Sequence, residues 1–441
     1  MVNGSLRMQR STAERSSGMT QRFLSVAGVG GLGIVMLVLG TAPFAHAQLA
    51  AFPTSDRPAG YVVFPKVVVD ELDVFKLGRF QDTLIQLTNT GQDSRVVECF
   101  YVDASSRCNN SVSTDPSSLY CRTSADCRSG GQCLPQWSQT DFTIVVTPNQ
   151  PVGWRASQTT NLADVDGDGI VKPVGPYFIG ELKCFEVDGT SIVNTTTTPI
   201  SANDLKGEAS IYDLNPVNFP AVGTAAHVDV REYNAVGFQA QPIVNSDQFL
   251  CLGSSPGSAH CATAEYAACP SIIVLDHFFD GAEDPDLGGA ISTDVTLAPC
   301  TEDLTQGAGT NGVNNQTPTT AQILVFNEFE QRLSASVNVD CFKETQLSQI
   351  DQTAGNQRSS AFSSSVQGTL TGQTRIRPIL SNDPNTGNGL IAILEEFHCP
   401  SPDPQTGSCS SPNPHSSAAF NANYIGTNGV KGDVVSYSVA P

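Results

Sequence analysis

No segment of this chain carries a sustained 3.6-residue apolar period, and that most narrows what it can fold into. Short runs rich in Val, Ile, Phe and Tyr recur instead, bounded by Gly, Pro, Asn, Asp and Ser. Such runs read as strands. In the first half they are YVVFPKVVVD at 61–70, DFTIVVT at 141–147, YFIGELKCFEVD at 177–188, LKGEASIYD at 205–213 and EYNAVGFQ at 232–239. The pattern restarts with SIIVLDHFFD at 271–280 and continues at 293–298, 366–380, 390–398, 418–425 and 434–439. Two stretches echo each other. Residues 82–103 and 321–342 are each two extended segments around a turn, closing on Val97-Glu98-Cys99-Phe100 and Val339-Asp340-Cys341-Phe342. Each reads as the central hairpin of a β-domain. Pro65 inside the first run implies an edge position or a bulge, because proline donates no ladder hydrogen bond.

The expected fold is all-β: two tandem immunoglobulin-like β-sandwich domains with disulfide-rich loop insertions. The first spans residues 61–248 and the second 271–441, joined by a Cys-rich segment at 249–270 and preceded by a lead-in at 48–60. One larger fused sandwich is the alternative.

The N-terminus speaks to compartment. Arg7, Arg10, Arg15 and Arg22 precede an apolar run at 23–39, and Ala45-His46-Ala47 follows. A basic segment, an apolar segment and an Ala-x-Ala site read as a secretory signal over residues 1–47, cleaved after Ala47. No later stretch is long enough to span a bilayer, so no membrane span is expected after cleavage. Residues 433–441 read as a last strand with no sorting tail. The expected location is extracellular, with the periplasm or the cell surface as variants. The net charge of −20 becomes −23 over residues 48–441, with 19 basic against 42 acidic residues. Such a surface repels phosphate backbones, which argues against nucleic acid as a partner, and it favours divalent cations.

All 13 cysteines follow Ala47. In an exported protein most should pair, and an odd number leaves at least one free or bonded to another chain. Cys108, Cys121, Cys127 and Cys133 form one local cluster, Cys251, Cys261 and Cys269 another, and Cys399 and Cys409 bracket a Pro- and Ser-rich loop. Zinc competes for the first cluster, but its spacings lack a C-x2-C knuckle, so disulfides are expected there.

The sharpest motif is Asp164-Val-Asp166-Gly-Asp168-Gly169-Ile170. Carboxylates at alternate positions, a glycine at the sharp turn and the Ile170 carbonyl make the first half of an EF-hand-type calcium loop. The loop resembles those of dockerins and thrombospondin type 3 repeats. It departs from them at the twelfth position, which is Gly175 and not the bidentate Glu. Glu181 or a remote carboxylate is the suggested substitute, and the expected role of Ca2+ is structural.

A second acidic group, Asp276-His277-Phe278-Phe279-Asp280 with Glu283, Asp284 and Asp286, could bind a metal or do acid–base work. A strand end running into a solvated loop explains it more simply. Gly253-Ser254-Ser255-Pro256-Gly257, with His260 nearby, matches a nucleophile-elbow pattern. That reading fails because Pro256 has no N–H for the oxyanion hole. No H-E-x-x-H, P-loop or dinucleotide fingerprint is present, and a carboxylate pair assembled from distant strands is invisible to spacing.

The phrases DTLIQLTNTGQ, CFYVDA, FIGELKCFEVD, LKGEASIYD, IIVLDHFFDGAEDP, LVFNEFEQRLSAS and AAFNANYIG occur here in order. The chain resembles a group of uncharacterised secreted bacterial β-rich proteins that carry them. The resemblance covers nearly all of the chain after residue 47 and implies one coherent architecture, with no catalytic residue. The expected function is a secreted, non-enzymatic binding or structural role toward an extracellular protein or glycan. The alternative is a secreted, polysaccharide-type hydrolase.

Overall fold

The computed structural model describes residues 54–75, 80–111, 119–135, 138–158, 176–191, 198–214, 228–242, 251–252, 265–270, 272–284, 288–300, 319–339, 342–351, 360–379, 389–399, 416–425 and 431–432. The strands of the first half are β1 (Tyr61–Asp70), β2 (Phe80–Asn89), β3 (Arg95–Asp103), β4 (Ser106–Cys108), β5 (Cys133–Pro135), β6 (Gln139–Val146), β7 (Pro151–Arg155), β8 (Tyr177–Val187), β9 (Leu205–Leu214), β10 (Val228–Asn234) and β11 (Val236–Phe238). Those of the second half are β12 (Ile272–Phe278), β13 (Ala282–Glu283), β14 (Ala290–Pro299), β15 (Thr319–Asn327), β16 (Arg332–Val339), β17 (Lys343–Gln346), β18 (Thr371–Ile379), β19 (Leu390–Cys399), β20 (Ser416–Asn421), β21 (Asn423–Ile425) and β22 (Lys431–Gly432). The all-β sandwich expectation is met.

β1 is the strand on which the first half turns. All ten of its residues are buried. It pairs with β8 along nearly its whole length, with β11 at Tyr61–Val63, and with β2 only at Asp70↔Gln81. The sheet, in the order β10-β9-β2-β1-β8-β3-β6, therefore folds over at β1. Ile85, Leu87, Ala209 and Ile211 come from one layer, and Val97, Cys99, Tyr101, Phe142 and Leu182 from the other; together they form one apolar core. Trp154 of β7, fully buried, joins the layers by donating from Nε1 to the Tyr101 hydroxyl at 2.9 Å. Burying one such side chain is worth roughly 1.5–3 kcal/mol.

Pro65 lies in a bulge between Phe64 and Val67, on a central strand. The Tyr233 hydroxyl accepts from the Lys66 N–H at 3.3 Å and donates to the Lys66 carbonyl, satisfying both groups the bulge releases from the ladder.

The first echo stretch is not a hairpin, contrary to the sequence reading. β2 pairs with β9 and β7, while β3 pairs with β8 and β6. The turn between β2 and β3 carries the chain across the core from one layer to the other. Asn89 pins it, accepting from the Gly91 N–H at 2.8 Å and donating to the Asp93 and Val146 carbonyls at 2.7 and 2.9 Å. The second stretch is a true hairpin, with β15 and β16 in continuous register from Thr319↔Val339 to Phe326↔Arg332.

The second half is also two-layered. A sheet ordered β16-β15-β18-β12-β21-β22 faces one ordered β13-β14-β19-β20, with β17 on β14. Ile273, Leu275, Ile323, Val325 and Ile376 meet Val295, Leu297, Leu390 and Leu394 between them. The same apolar cluster includes Tyr61, Val63, Phe185 and Phe238 of the first half, so the core runs through both halves.

Disulfides follow the topology. Cys99 and Cys184 are directly opposite on β3 and β8. Cys108–Cys127 and Cys121–Cys133 staple the excursion between β3 and β6, and Cys269–Cys300 ties the joint to the end of β14. Cys251 and Cys399 are disulfide-bonded as well. The sulphurs of Cys108, Cys121 and Cys127 lie within 4.8 Å of one another because two disulfides sit side by side there; oxidised in this way, they supply no zinc thiolates.

Candidate functional site

Residue alternation on β12 divides the acidic stretch between two faces. Leu275, His277 and Phe279 point into the core, while Asp276 is exposed. Asp276 lies opposite Gln373 of β18, and Gln373 lies opposite Phe326 of β15. These three make a row across three strands. Gln373 donates to Asp276 Oδ1 at 3.0 Å, Arg375 donates to Gln373 Oε1 at 3.1 Å, and the Arg375 guanidinium stands 5.3 Å over the Phe326 ring.

The β15–β16 turn forms one lip of the site. Asn327 Oδ1 accepts from the Phe329 and Gln331 N–H groups, both at 3.0 Å. Glu330 takes the left-handed conformation that closes the turn, with φ 60°. Glu328 accepts from the Thr371 N–H and hydroxyl at 3.2 and 2.7 Å. Gly372 forms part of the floor. A Cβ there would meet Phe279 Cζ at 2.3 Å and the Phe326 carbonyl at 2.9 Å, so only glycine fits. Phe278 and, from β19, Glu396 complete an open groove of about 630 Å³.

Four carboxylates (Asp276, Glu328, Glu330 and Glu396) share this groove with one guanidinium, two phenylalanine rings and the amides of Asn327 and Gln373. Burial raises the Glu396 pKa, with His398 acting the other way. Its Oε1 is buried and has no hydrogen-bond partner among the described residues.

The other members of the acidic stretch have structural occupations. His277 is buried, with Nδ1 2.9 Å from the Phe278 carbonyl and Nε2 2.8 Å from the Thr374 hydroxyl. The carbonyl can only accept, so Nδ1 carries the proton and Nε2 takes one from Thr374. Burial pulls its pKa down to about 4, and both nitrogens are engaged. Its ring thereby ties β12 to β18 through Thr374. Asp280 is buried and accepts from the Thr293 and Ser348 N–H groups at 2.8 Å, and burial pushes its pKa up to about 6. Asp284 pairs with His398 Nδ1 at 2.8 Å, and Glu283 is exposed on β13. Among the described residues of this stretch, Asp276 and His277 are the ionisable groups that line the groove, Asp276 exposed and His277 buried beneath it.

Asp164, Asp166, Asp168 and Ile170 lie outside the described residues, as do Asp286 and the Gly253–Gly257 segment with His260. Glu181, the suggested substitute ligand, is buried on β8 and paired with Lys183 at 2.7 Å.

A second polar constellation joins the two halves and left no trace in the sequence. Arg231 of β10, 1% exposed, grips Asp213 through Nη1 and Nη2 at 2.9 and 3.0 Å and reaches Glu395 Oε1 through Nε at 2.8 Å. Lys66, at the β1 bulge, pairs with both Glu395 and Glu344. Asp294 of β14 is half-buried; desolvation, with Glu344 nearby, pushes its pKa up to about 8. Lysine and arginine here are fully committed to carboxylates, which is how buried charge is retained.

No protein-family profile matches the chain, and no curated protein aligns with it. Among solved structures it is similar to the CupB6 tip adhesin of Pseudomonas aeruginosa, at 9% identity over 83% of this chain and 92% of that one, with a TM-score of 0.12. A likeness at that level carries no argument about fold or function.

Proposed function

We propose that the protein works outside the cytoplasm as a non-enzymatic binding component, holding an extracellular glycan or protein in the groove between β12, β18 and the β15–β16 turn. The observation that carries this is the composition of the groove. Flat aromatic surface lies beside carboxylate, carboxamide and guanidinium groups on rigid strands, which suits a hydroxyl-rich or cationic ligand. Export through the signal at residues 1–47 is part of the reading, and the disulfides support an oxidising compartment. The test is a screen of the purified protein against immobilised polysaccharides and matrix proteins, with Gln373→Ala in parallel. At least one partner should bind the wild type and lose tenfold or more with the variant. A screen in which nothing binds, or in which the variant binds equally well, overturns the reading.

Calcium is proposed as a stabiliser of the loop holding Asp164, Asp166, Asp168 and the Ile170 carbonyl. Calorimetric titration of Ca2+ into chelator-treated protein should give saturable heat that Asp166→Ala abolishes. Heat in neither protein makes the loop an acidic turn.

One observation favours the hydrolase alternative. Glu396, with its pKa raised by burial, shares the groove with the exposed carboxylate Asp276. Two carboxyl groups sharing a groove, one of them with a raised pKa, are the kind of pair a glycosidase uses. Turnover of a polysaccharide that Glu396→Gln abolishes would establish it.

A further inference from the structure

We infer that the outer edge of β16 is a self-pairing surface, and that two copies of this chain join there as an antiparallel dimer with one continuous sheet. β16 is the end strand of its sheet, and among the described residues nothing pairs with its outer side. Natural edge strands are usually blunted by proline, lysine, a bulge or an inward charge. This one, RLSASVNV, has none of these over eight residues, and its register with β15 is unbroken. Arg332 is its one charged residue, in a chain of net charge −20.

The backbone phase can be read from the turn. The Asn327 N–H donates to the Gln331 carbonyl at 3.2 Å, so odd-numbered residues of β16 belong to the ladder with β15. The even-numbered residues, Arg332, Ser334, Ser336 and Asn338, therefore direct their N–H and C=O groups outward. All four are exposed. A two-fold axis at Ala335 sets Ser334 opposite Ser336 and Arg332 opposite Asn338 of the second copy. Every outward group then finds a partner. The same register puts Leu333, 39% exposed, opposite the second copy's Val337 on the apolar face. No like charges meet, and apolar and polar positions match along the whole strand, as cross-strand pairing requires. Shifting the axis to Ser336 leaves Arg332 without a partner within the strand. The edge is thus complementary to itself in one preferred register, and a closed pair covers both edges.

The test uses the fact that a proline at an even position removes only an outward N–H. The purified protein and Ser336→Pro should be compared by sedimentation velocity at ~10 µM in 0.15 M salt, where the Debye length is about 8 Å. The wild type should sediment as a dimer and Ser336→Pro as a monomer with an unchanged circular-dichroism spectrum. Independently, Ala335→Cys should form a disulfide-linked dimer under mild oxidation, through a residue facing its own copy. A wild type that is monomeric up to 100 µM overturns the proposal, as does a dimer that persists in Ser336→Pro. A Ser336→Pro chain that fails to fold leaves the decision to the Ala335→Cys cross-link, whose absence in a folded protein also overturns it.

Discussion

Glu330 is a non-glycine residue held at φ 60° by the β15–β16 turn. Left-handed backbone costs an ordinary L-residue about 1–2 kcal/mol, so Glu330→Gly should stabilise the fold by roughly 1 kcal/mol, read as a rise in chemical-denaturation midpoint at constant slope. Gly372 predicts the reverse. Gly372→Ala drives a methyl into Phe279 and the Phe326 carbonyl, and overpacking of that kind typically costs about 1–3 kcal/mol. Asp294 carries a sign that can be worked out. Its folded-state pKa, about 8, lies above the ordinary 3.8, so the folded chain keeps a proton that the unfolded chain gives up. Stability from this group is present below the unfolded pKa and lost as pH rises toward the folded one. Asp294→Asn should therefore gain thermal stability relative to wild type between pH 5 and pH 9, measured as the widening difference in Tm. A constant difference would rule this out. The sequence showed Asp276 and His277 as neighbours of one chemistry. Strand alternation makes them opposites, one in solvent and one in the core, and only a known strand direction shows which is which.

At the scale of elements, what could be read was position. The run at 61–70 is β1 to the residue, and 205–213 is β9 less its last residue. Pairing could not be read. The flanks of 82–103 alternate in the same way whether they face each other in a ladder or across a core, because period two reports a buried face and says nothing of the neighbour that buries it. β2 and β3 take the second course, β15 and β16 the first. The groove was hidden for the same reason: Asp276, Gln373 and Phe326 become a row only once β12, β18 and β15 are adjacent. So was the Arg231 network, which draws on β1, β9, β10, β17 and β19. Arg231→Met leaves Asp213 and Glu395 buried with a partner removed, and should cost about 3–5 kcal/mol of stability by denaturant unfolding. Replacing Arg231, Asp213 and Glu395 together with apolar residues should cost less than that single change.

For the whole molecule, the core running through both halves and the network at their junction couple them, so unfolding should be monitored by probes in each half. Coincident transitions are expected, and Arg231→Met should shift both together. A net charge of −20 opposes self-association except along the nearly neutral β16 edge, so the dimer should tighten as salt rises from 0.05 to 0.3 M. The central claim is that the groove binds and does not turn over its ligand. The most direct measurement takes the partner found by screening and compares its Kd for wild type and Phe326→Ala, with product analysis of the same mixtures after prolonged incubation. The account predicts saturable binding, a Kd at least tenfold weaker in Phe326→Ala, and an intact ligand. Ligand cleavage that Glu396→Gln abolishes, or a Kd unmoved by Phe326→Ala, would contradict it.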